Sequence, residues 1–422
     1  MDNTYEKVAP GLWRAELTIV EKAKKAVPYD PRNRDEQIER DIEDLNEGAL
    51  PFHFDLRYTK DGNMEIDIIN GEERIPVRDI EFGRNIATGR DTLLIKFPVY
   101  ESYIRAEVEE KVINGEFVVT TRNNYSIPFK AKYGQAYRFT DNSIAPIQDL
   151  TGKWSASFGI ETEDPYPAIG EFQQKGNKLT GTFLTETGDY RYLDGTVQGN
   201  KFYLSTFDGA HAFLFTGKIK EDGSLVGSFR SGKHYRTTWQ AVKDESVTLQ
   251  TPDSLTLLKN EEERFEISFP DTKGNTVTLE DERFKGKAKI VQVFGTWCPN
   301  CRDEASFLVD YFRKKPNPNL AIIGLAFEKH REFDKAAAAV DRYRERMGID
   351  YEMLVAGYYR KSEASEALPM INKVISYPTM IFLTPQNKVV KIHTGFSGPA
   401  TSQFDSFKAD FEKTINQISS LL

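Results

Sequence analysis

The stretch AKIVQVFGTWCPNC, residues 288–301, contains both cysteines of the 422-residue chain. Its first part is an apolar run of the kind that forms a strand buried on both faces. The run breaks at Gly295-Thr296. Pro299 then suits the first interior position of a helix, where its missing N–H costs nothing. The spacing predicts a helix that lines Phe307, Leu308, Tyr311 and Phe312 along one face. Arg313, Lys314 and Lys315 close its last turn before Pro316. Cys298 therefore falls at a helix start, with Cys301 one turn later. Unpaired backbone N–H groups and the helix dipole stabilise a thiolate there, and thiolate is the attacking species in disulfide exchange. The second sulfur, one turn on, lies within bonding reach and can attack a mixed disulfide formed on the first. A structural zinc site needs about four ligands, and the five histidines (His53, His211, His234, His330 and His393) are scattered without a paired spacing. Two inert cysteines would not account for the flanking Trp297, the intervening Pro299 or the strand-to-helix setting. A redox couple is the favoured reading.

From this point the chain alternates strands and helices. A strand is expected over 320–328, a helix over 334–348 ending at Gly348, a helical ALPMINKVIS segment over 367–376 and a strand over 379–384. A turn at Gln386-Asn387, a strand over 389–395 and an amphipathic helix carrying Phe404, Phe407, Phe411 and Ile415 complete the pattern. Such alternation predicts an α/β layer architecture.

Residues 1 to about 245 differ. Short runs rich in Val, Ile, Phe and Tyr are punctuated by turn signals such as Asp61-Gly62, Asn114-Gly115, Gly199-Asn200 and Asp222-Gly223, an all-β signature of the sandwich or barrel kind. An internal repeat emerges when the turns are aligned. Gly11-Leu12-Trp13-Arg14-Ala15 matches Gly152-Lys153-Trp154-Ser155-Ala156. Gly115-Glu116-Phe117 matches Gly227-Ser228-Phe229, and Phe129-Lys130-Ala131 matches Trp239-Gln240-Ala241. A charged segment near 30–48, with Ile38, Ile42 and Leu45 at helical spacing, reads as a surface-helix insertion in the first copy. The expected organisation is multidomain: two related all-β units over 1–145 and 146–245, a linker over 246–261, and an α/β domain over 262–422. Trp13, Trp154 and Trp239 read as core aromatics.

The segment LEDERFKGKAKIVQVFGTWCPNCRDEASFL resembles the thioredoxin superfamily, and within it the TlpA/ResA-like disulfide reductases. Gly286-Lys287 before the strand, Gly295-Thr296-Trp297-Cys298 after it, and Tyr377-Pro378-Thr379 ahead of a later strand carry the resemblance, which covers about 262–422. The N-terminal part looks like the β-rich extensions that precede such domains in Bacteroidetes-type proteins. The resemblance implies a thioredoxin-like fold, Cys298 as nucleophile, Cys301 as resolving thiol and a cis Pro378 facing them. The Tyr377 backbone would pair with an extended substrate, and Trp297 would flank the sulfurs on the docking surface. Glu304 matches an acidic residue three positions after the second cysteine, where it would tune the thiols or shuttle a proton. Thioredoxin's buried Asp is replaced by Gln292, which cannot titrate. Glu328 ends the 320–328 strand near the active face, where capping or solvating that strand end is the plainer expectation. No cofactor beyond the cysteine pair, and no metal, is implied. A peroxidase is a weaker alternative, because the segment lacks the proline–threonine arrangement that peroxiredoxins place before their reactive cysteine.

The net charge of −8, without a long basic run, gives no footprint for nucleic acid. No stretch approaches the roughly 20 apolar residues of a membrane helix. The opening MDNTYEKVAPGLW lacks the apolar core of a signal peptide, so the chain is either cytosolic or shorn of a targeting segment. The resemblance favours the periplasm or cell surface. It also implies a protein or small-molecule disulfide as substrate and an upstream electron donor such as a membrane thiol reductase. The competing class is a binding or scaffold protein whose β region recognises a partner or ligand, with the redox domain secondary.

Overall fold

Period-two burial governs the N-terminal strands. In Gly11–Thr18 the inward positions are Trp13, Ala15 and Leu17, while the intervening residues are half-buried. The computed structural model describes residues 8–20, 48–260 and 264–420. Residues 30–47 of the expected charged insertion lie outside them.

Two nine-stranded antiparallel sheets account for the β-rich region. In the first, Gly11–Thr18 pairs with both Ala49–Tyr58 and the last strand, Ser126–Tyr133. Glu73–Val77 and Ile80–Arg84 form its two edges, so this sheet is an open half-barrel. In the second, Gly152–Phe158 pairs with Tyr166–Lys175 and with the last strand, Tyr235–Lys243. Pairing of Tyr166–Lys175 with Lys178–Thr185 closes the ring into a barrel. Buried aromatics, among them Trp154, Phe158, Phe183, Phe202, Phe215 and Trp239, pack together as its core. Barrels, not sandwiches, are thus the form the β pattern takes.

The aligned repeat landmarks occupy equivalent places. Ala15 faces Ala131 in the first sheet as Ala156 faces Ala241 in the second. Gly11 and Gly152 share a φ of +116°, which disfavours any side chain at either position. The indole N–H groups of Trp13 and Trp154 each donate, at 2.9 Å, to the carbonyl four residues earlier. A buried polar seam ties the sheets: Arg138 donates to Asn70 and to the Ser205 carbonyl, and Arg191 pairs with Glu73 and Asp208.

The described chain divides into two compact units. One comprises the described residues up to 183 together with 190–248; the other comprises 184–189 together with the described residues from 249 onward. The second unit is built on a five-stranded sheet in the order Glu352–Tyr358, Leu320–Glu328, Ala288–Phe294, Thr379–Leu383, Val389–Thr394. The first three strands run parallel and the last two antiparallel. Every residue of the central strand Ala288–Phe294 is buried, as expected of a strand covered on both faces. Helices Pro299–Lys314, Phe333–Met347, Lys361–Ala367 and Phe404–Ser419 accompany the sheet. The first and last of these interlock through Phe307, which meets Phe407 at 5.2 Å and Phe411 at 4.9 Å between ring centroids.

Two local expectations change. The helix near ALPMINKVIS lies earlier, at Lys361–Ala367, and Leu368, Met370, Ile371 and Val374 after it are buried in irregular chain, with Ile371 bridging Leu258. Pro369 disfavours the helical conformation at Leu368 and lacks a donor of its own, so the helix ends before it. The segment read as a linker is packed against the edge strand Val389–Thr394. Asp253 pairs with His393 at 2.8 Å and with Lys391 at 2.7 Å, and Thr394 donates to Thr256 at 2.9 Å. Asp253 and Thr256 carry no hydrophobic period, so their polar docking is invisible to a search for one.

Candidate active site

The central strand ends at Phe294 and the chain turns through Gly295, Thr296 and Trp297 before the helix Pro299–Lys314 begins. Gly295 is required by space. A Cβ there would lie 2.3 Å from the Trp297 indole nitrogen and 2.9 Å from the Phe327 carbonyl. The turn is fastened to the end of the neighbouring strand Leu320–Glu328. Glu328 accepts from the Thr296 N–H at 2.9 Å and from the Thr296 hydroxyl at 2.7 Å, and the Trp297 indole N–H donates to the Phe327 carbonyl at 2.9 Å. Glu328 is buried, so of capping and solvation the structure favours capping: it binds the backbone N–H of the neighbouring loop. A buried carboxylate must be satisfied, and the loop that carries the cysteines satisfies it.

Cys298 is the N-cap of the helix. Its Sγ accepts the Cys301 N–H at 3.3 Å and lies 3.7 Å from the Tyr377 carbonyl, to which the thiol donates. Cys301 is fully enclosed, whereas Cys298 retains 7% of its surface. Burial pushes the Cys301 thiol well above its usual range, and Cys298 beside it adds to the effect. The Tyr343 hydroxyl, from the helix Phe333–Met347, donates to the Cys301 carbonyl at 3.2 Å.

The Tyr377–Pro378 peptide is cis. Its loop is held by the Gly395 N–H, which donates to the Pro378 carbonyl at 2.8 Å, and by the Thr379 hydroxyl, which donates to the Ser376 carbonyl at 2.9 Å. The Trp297 ring stands edge-on to both Tyr377 and Tyr359, each at 5.6 Å, with the Lys329 ammonium 5.2 Å from its centroid. Asn300, between the cysteines, donates to the Asp189 carbonyl at 3.4 Å, and Asp189 belongs to the same compact unit.

Behind the sulfurs lies Glu304, wholly buried, on the helix face it shares with Cys301. Its Oε2 accepts the side-chain N–H of Gln292 at 2.7 Å, and its Oε1 has no partner among the described residues. Burial raises this carboxyl from the usual 4.5 to about 8, against the smaller opposing effect of the Gln292 bond. The Tyr351 hydroxyl donates to the other end of the Gln292 amide at 3.0 Å. The structure thus gathers Trp297, Cys298, Cys301, Glu304, Tyr377 and Pro378 around one point. Tyr343, Tyr351 and Tyr359 join them unforeseen, because each approaches from an element distant in sequence and no local motif marks it.

Residues 261–392 match the AhpC/TSA family. The thiol-disulfide oxidoreductase ResA of Bacillus subtilis (strain 168) is 23% identical over 125 residues, which is 30% of this chain and 62% of that protein. The chain therefore spans less than two thirds of this relative's length. Among solved structures, a thiol:disulfide interchange protein of the thioredoxin family from Chlorobium tepidum TLS is 20% identical. The match covers 38% of this chain and 97% of that one, with a TM-score of 0.29. The thioredoxin domain of a thiol-disulfide oxidoreductase from Bacteroides vulgatus is also 20% identical, covering 36% and 99%, with a TM-score of 0.27. The β-rich units of this chain are followed by a thioredoxin-like domain, matched by the AhpC/TSA family over residues 261–392.

Proposed function

We propose that the protein is a thiol–disulfide oxidoreductase that reduces disulfides through Cys298 and Cys301. The observation that carries this reading is the setting of the Cys298 sulfur, at a helix start, between the Cys301 N–H and the carbonyl before the cis proline. The Cys298 thiolate attacks one sulfur of the substrate disulfide. A Cys298–substrate disulfide forms and the other substrate sulfur leaves as a thiolate. Cys301 then gives up its proton and attacks the Cys298 sulfur. The mixed disulfide breaks, the Cys298–Cys301 disulfide forms, and the second substrate thiol is released, so two electrons pass to the substrate. The Glu304 carboxyl titrates near 8, and its ionised form receives the Cys301 proton, so the resolving step quickens as pH rises toward that value. Glu304 is the ionisable group behind that thiol, since Gln292 cannot titrate.

Trp297, Tyr359 and the cis-proline loop form the rim against which the substrate docks, with the Tyr377 backbone pairing to an extended segment. An external dithiol, of the kind a membrane thiol reductase supplies, restores the reduced pair. The substrates are protein disulfides, met outside the cytoplasm. The name of the relative and the sequence resemblance support this reading. The test is reduction of insulin disulfides by the full chain with dithiothreitol as donor. Turnover that Cys298→Ser removes is the expected result. Hydrogen peroxide consumption without disulfide reduction would replace the reading with a peroxidase.

A further inference from the structure

We propose that Tyr351 is a positioning residue for the dithiol chemistry. Acting through the side-chain amide of Gln292, it strengthens that amide's hydrogen bond to Oε2 of ionised Glu304 and leaves Oε1 to accept the Cys301 proton. The inference rests on the oxidoreductase reading above and adds a residue to it.

A glutamine amide has two ends of opposite hydrogen-bonding character, and only its neighbours decide which way it faces. Oε1 of Gln292 can only accept. The Tyr351 hydroxyl, 3.0 Å away, must therefore be the donor in that contact. With Oε1 occupied, the Nε2 end is turned to Glu304 and donates to its Oε2 at 2.7 Å. That bond occupies Oε2 as an acceptor and leaves Oε1 as the place for the acid's hydrogen. Oε1 is buried and has no partner among the described residues. In a well-packed interior an unpaired polar atom is costly, and a proton in transit is a reason to bear it. Cys301 lies three residues back on the same helix face and is the thiol that must shed a proton in the resolving step.

Among the described residues, few groups face Glu304. Cys301 faces it from its own helix, with Cys298 beyond. Gln292 approaches from the central strand, and Tyr351, with Asp350 beside it, from the segment entering Glu352–Tyr358. The Tyr343 hydroxyl, on the helix Phe333–Met347, is engaged by the Cys301 carbonyl.

Without the Tyr351 hydroxyl the Gln292 carbonyl loses its donor, and the amide N–H at its other end is less polarised and holds ionised Glu304 less strongly. Neutral Glu304 is then favoured, and the carboxyl accepts the Cys301 proton less readily. The experiment uses the full chain and measures the pH profile of the resolving step. Cys298 is loaded with a chromogenic aromatic thiol as the mixed disulfide, and release of that thiol is followed. Tyr351→Phe should move the midpoint of the profile upward by about one unit, a roughly tenfold slower release near neutrality. In a Glu304→Gln background the same substitution should add nothing. Infrared difference spectra should show the acid carbonyl band of Glu304 displaced in Tyr351→Phe. A profile and band unchanged in a folded Tyr351→Phe protein, or an equal effect in both backgrounds, would overturn the proposal. Should Tyr351→Phe fail to fold, Gln292→Met breaks the same relay from its other side, with the same expectation and the same refutation. A normal profile in Glu304→Gln alone would instead remove the Glu304 role on which the relay depends.

Discussion

Glu304→Gln offers a test that needs no substrate. In the folded chain the carboxyl titrates near 8, against about 4.5 when unfolded, because burial penalises its charged form. The sign follows from proton linkage. Below pH 4.5 both states hold the proton and the group is neutral to stability. Between 4.5 and 8 the unfolded state releases the proton while the folded state keeps it, so stability falls as pH rises. At about 1.4 kcal/mol per unit, the full interval corresponds to about 5 kcal/mol, an upper figure that rearrangement around the site would reduce. The glutamine variant lacks this titration. Urea unfolding of both proteins should be followed by the transition of the thioredoxin-like unit at several pH values from 5 to 8. Other titrating groups cancel in the difference between the two proteins. The wild type should lose several kcal/mol relative to Glu304→Gln across this range. Curves that stay parallel within 1 kcal/mol would refute the buried-acid assignment.

Glu328→Ala should destabilise the thioredoxin-like unit by about 3 kcal/mol, since it strips partners from a buried N–H and a buried hydroxyl. Denaturant unfolding measures that loss, and the exchange rate should fall with it as the Cys298 loop is released. Trp297→Ala should raise the KM for a protein disulfide by about tenfold while the thermal midpoint moves little, because this ring forms rim more than core; an unchanged KM would count against a docking role. His53 carries the opposite sign to Glu304. Burial, with Arg138 nearby, lowers it from 6.5 to about 4, so about 3 kcal/mol of stability in the β-rich unit is present above pH 6.5 and lost as the pH falls toward 4. His53→Gln should flatten that acid limb of the unfolding profile.

Much of this arrangement can be read from local pattern. The strand 288–294, the helix after Pro299 and the cysteine pair share one stretch of chain, so spacing alone puts a thiol at a helix start. The β repeat was legible because Gly11 and Gly152 mark a backbone conformation that side chains disfavour, and because the paired alanines recur in register. Closure of only the second barrel was not legible, since it depends on whether two strands, Tyr166–Lys175 and Lys178–Thr185, meet across the ring. Capping and solvation are equally open for a glutamate at a strand end, and it is the Thr296 loop, 32 residues away, that decides for capping here. The Tyr351–Gln292–Glu304 chain joins three elements through side-chain hydrogen bonds that no periodicity records.

The most direct measurement is to trap the intermediate. Full-length Cys301→Ser protein, reduced and then offered insulin, should accumulate a one-to-one adduct by intact-mass spectrometry, with peptide mapping placing the disulfide at Cys298. Cys298→Ser should form none. An adduct that forms equally in Cys298→Ser, or none in either variant while the wild type reduces insulin, would contradict the assignment of Cys298 as the attacking thiol and with it the account of the site.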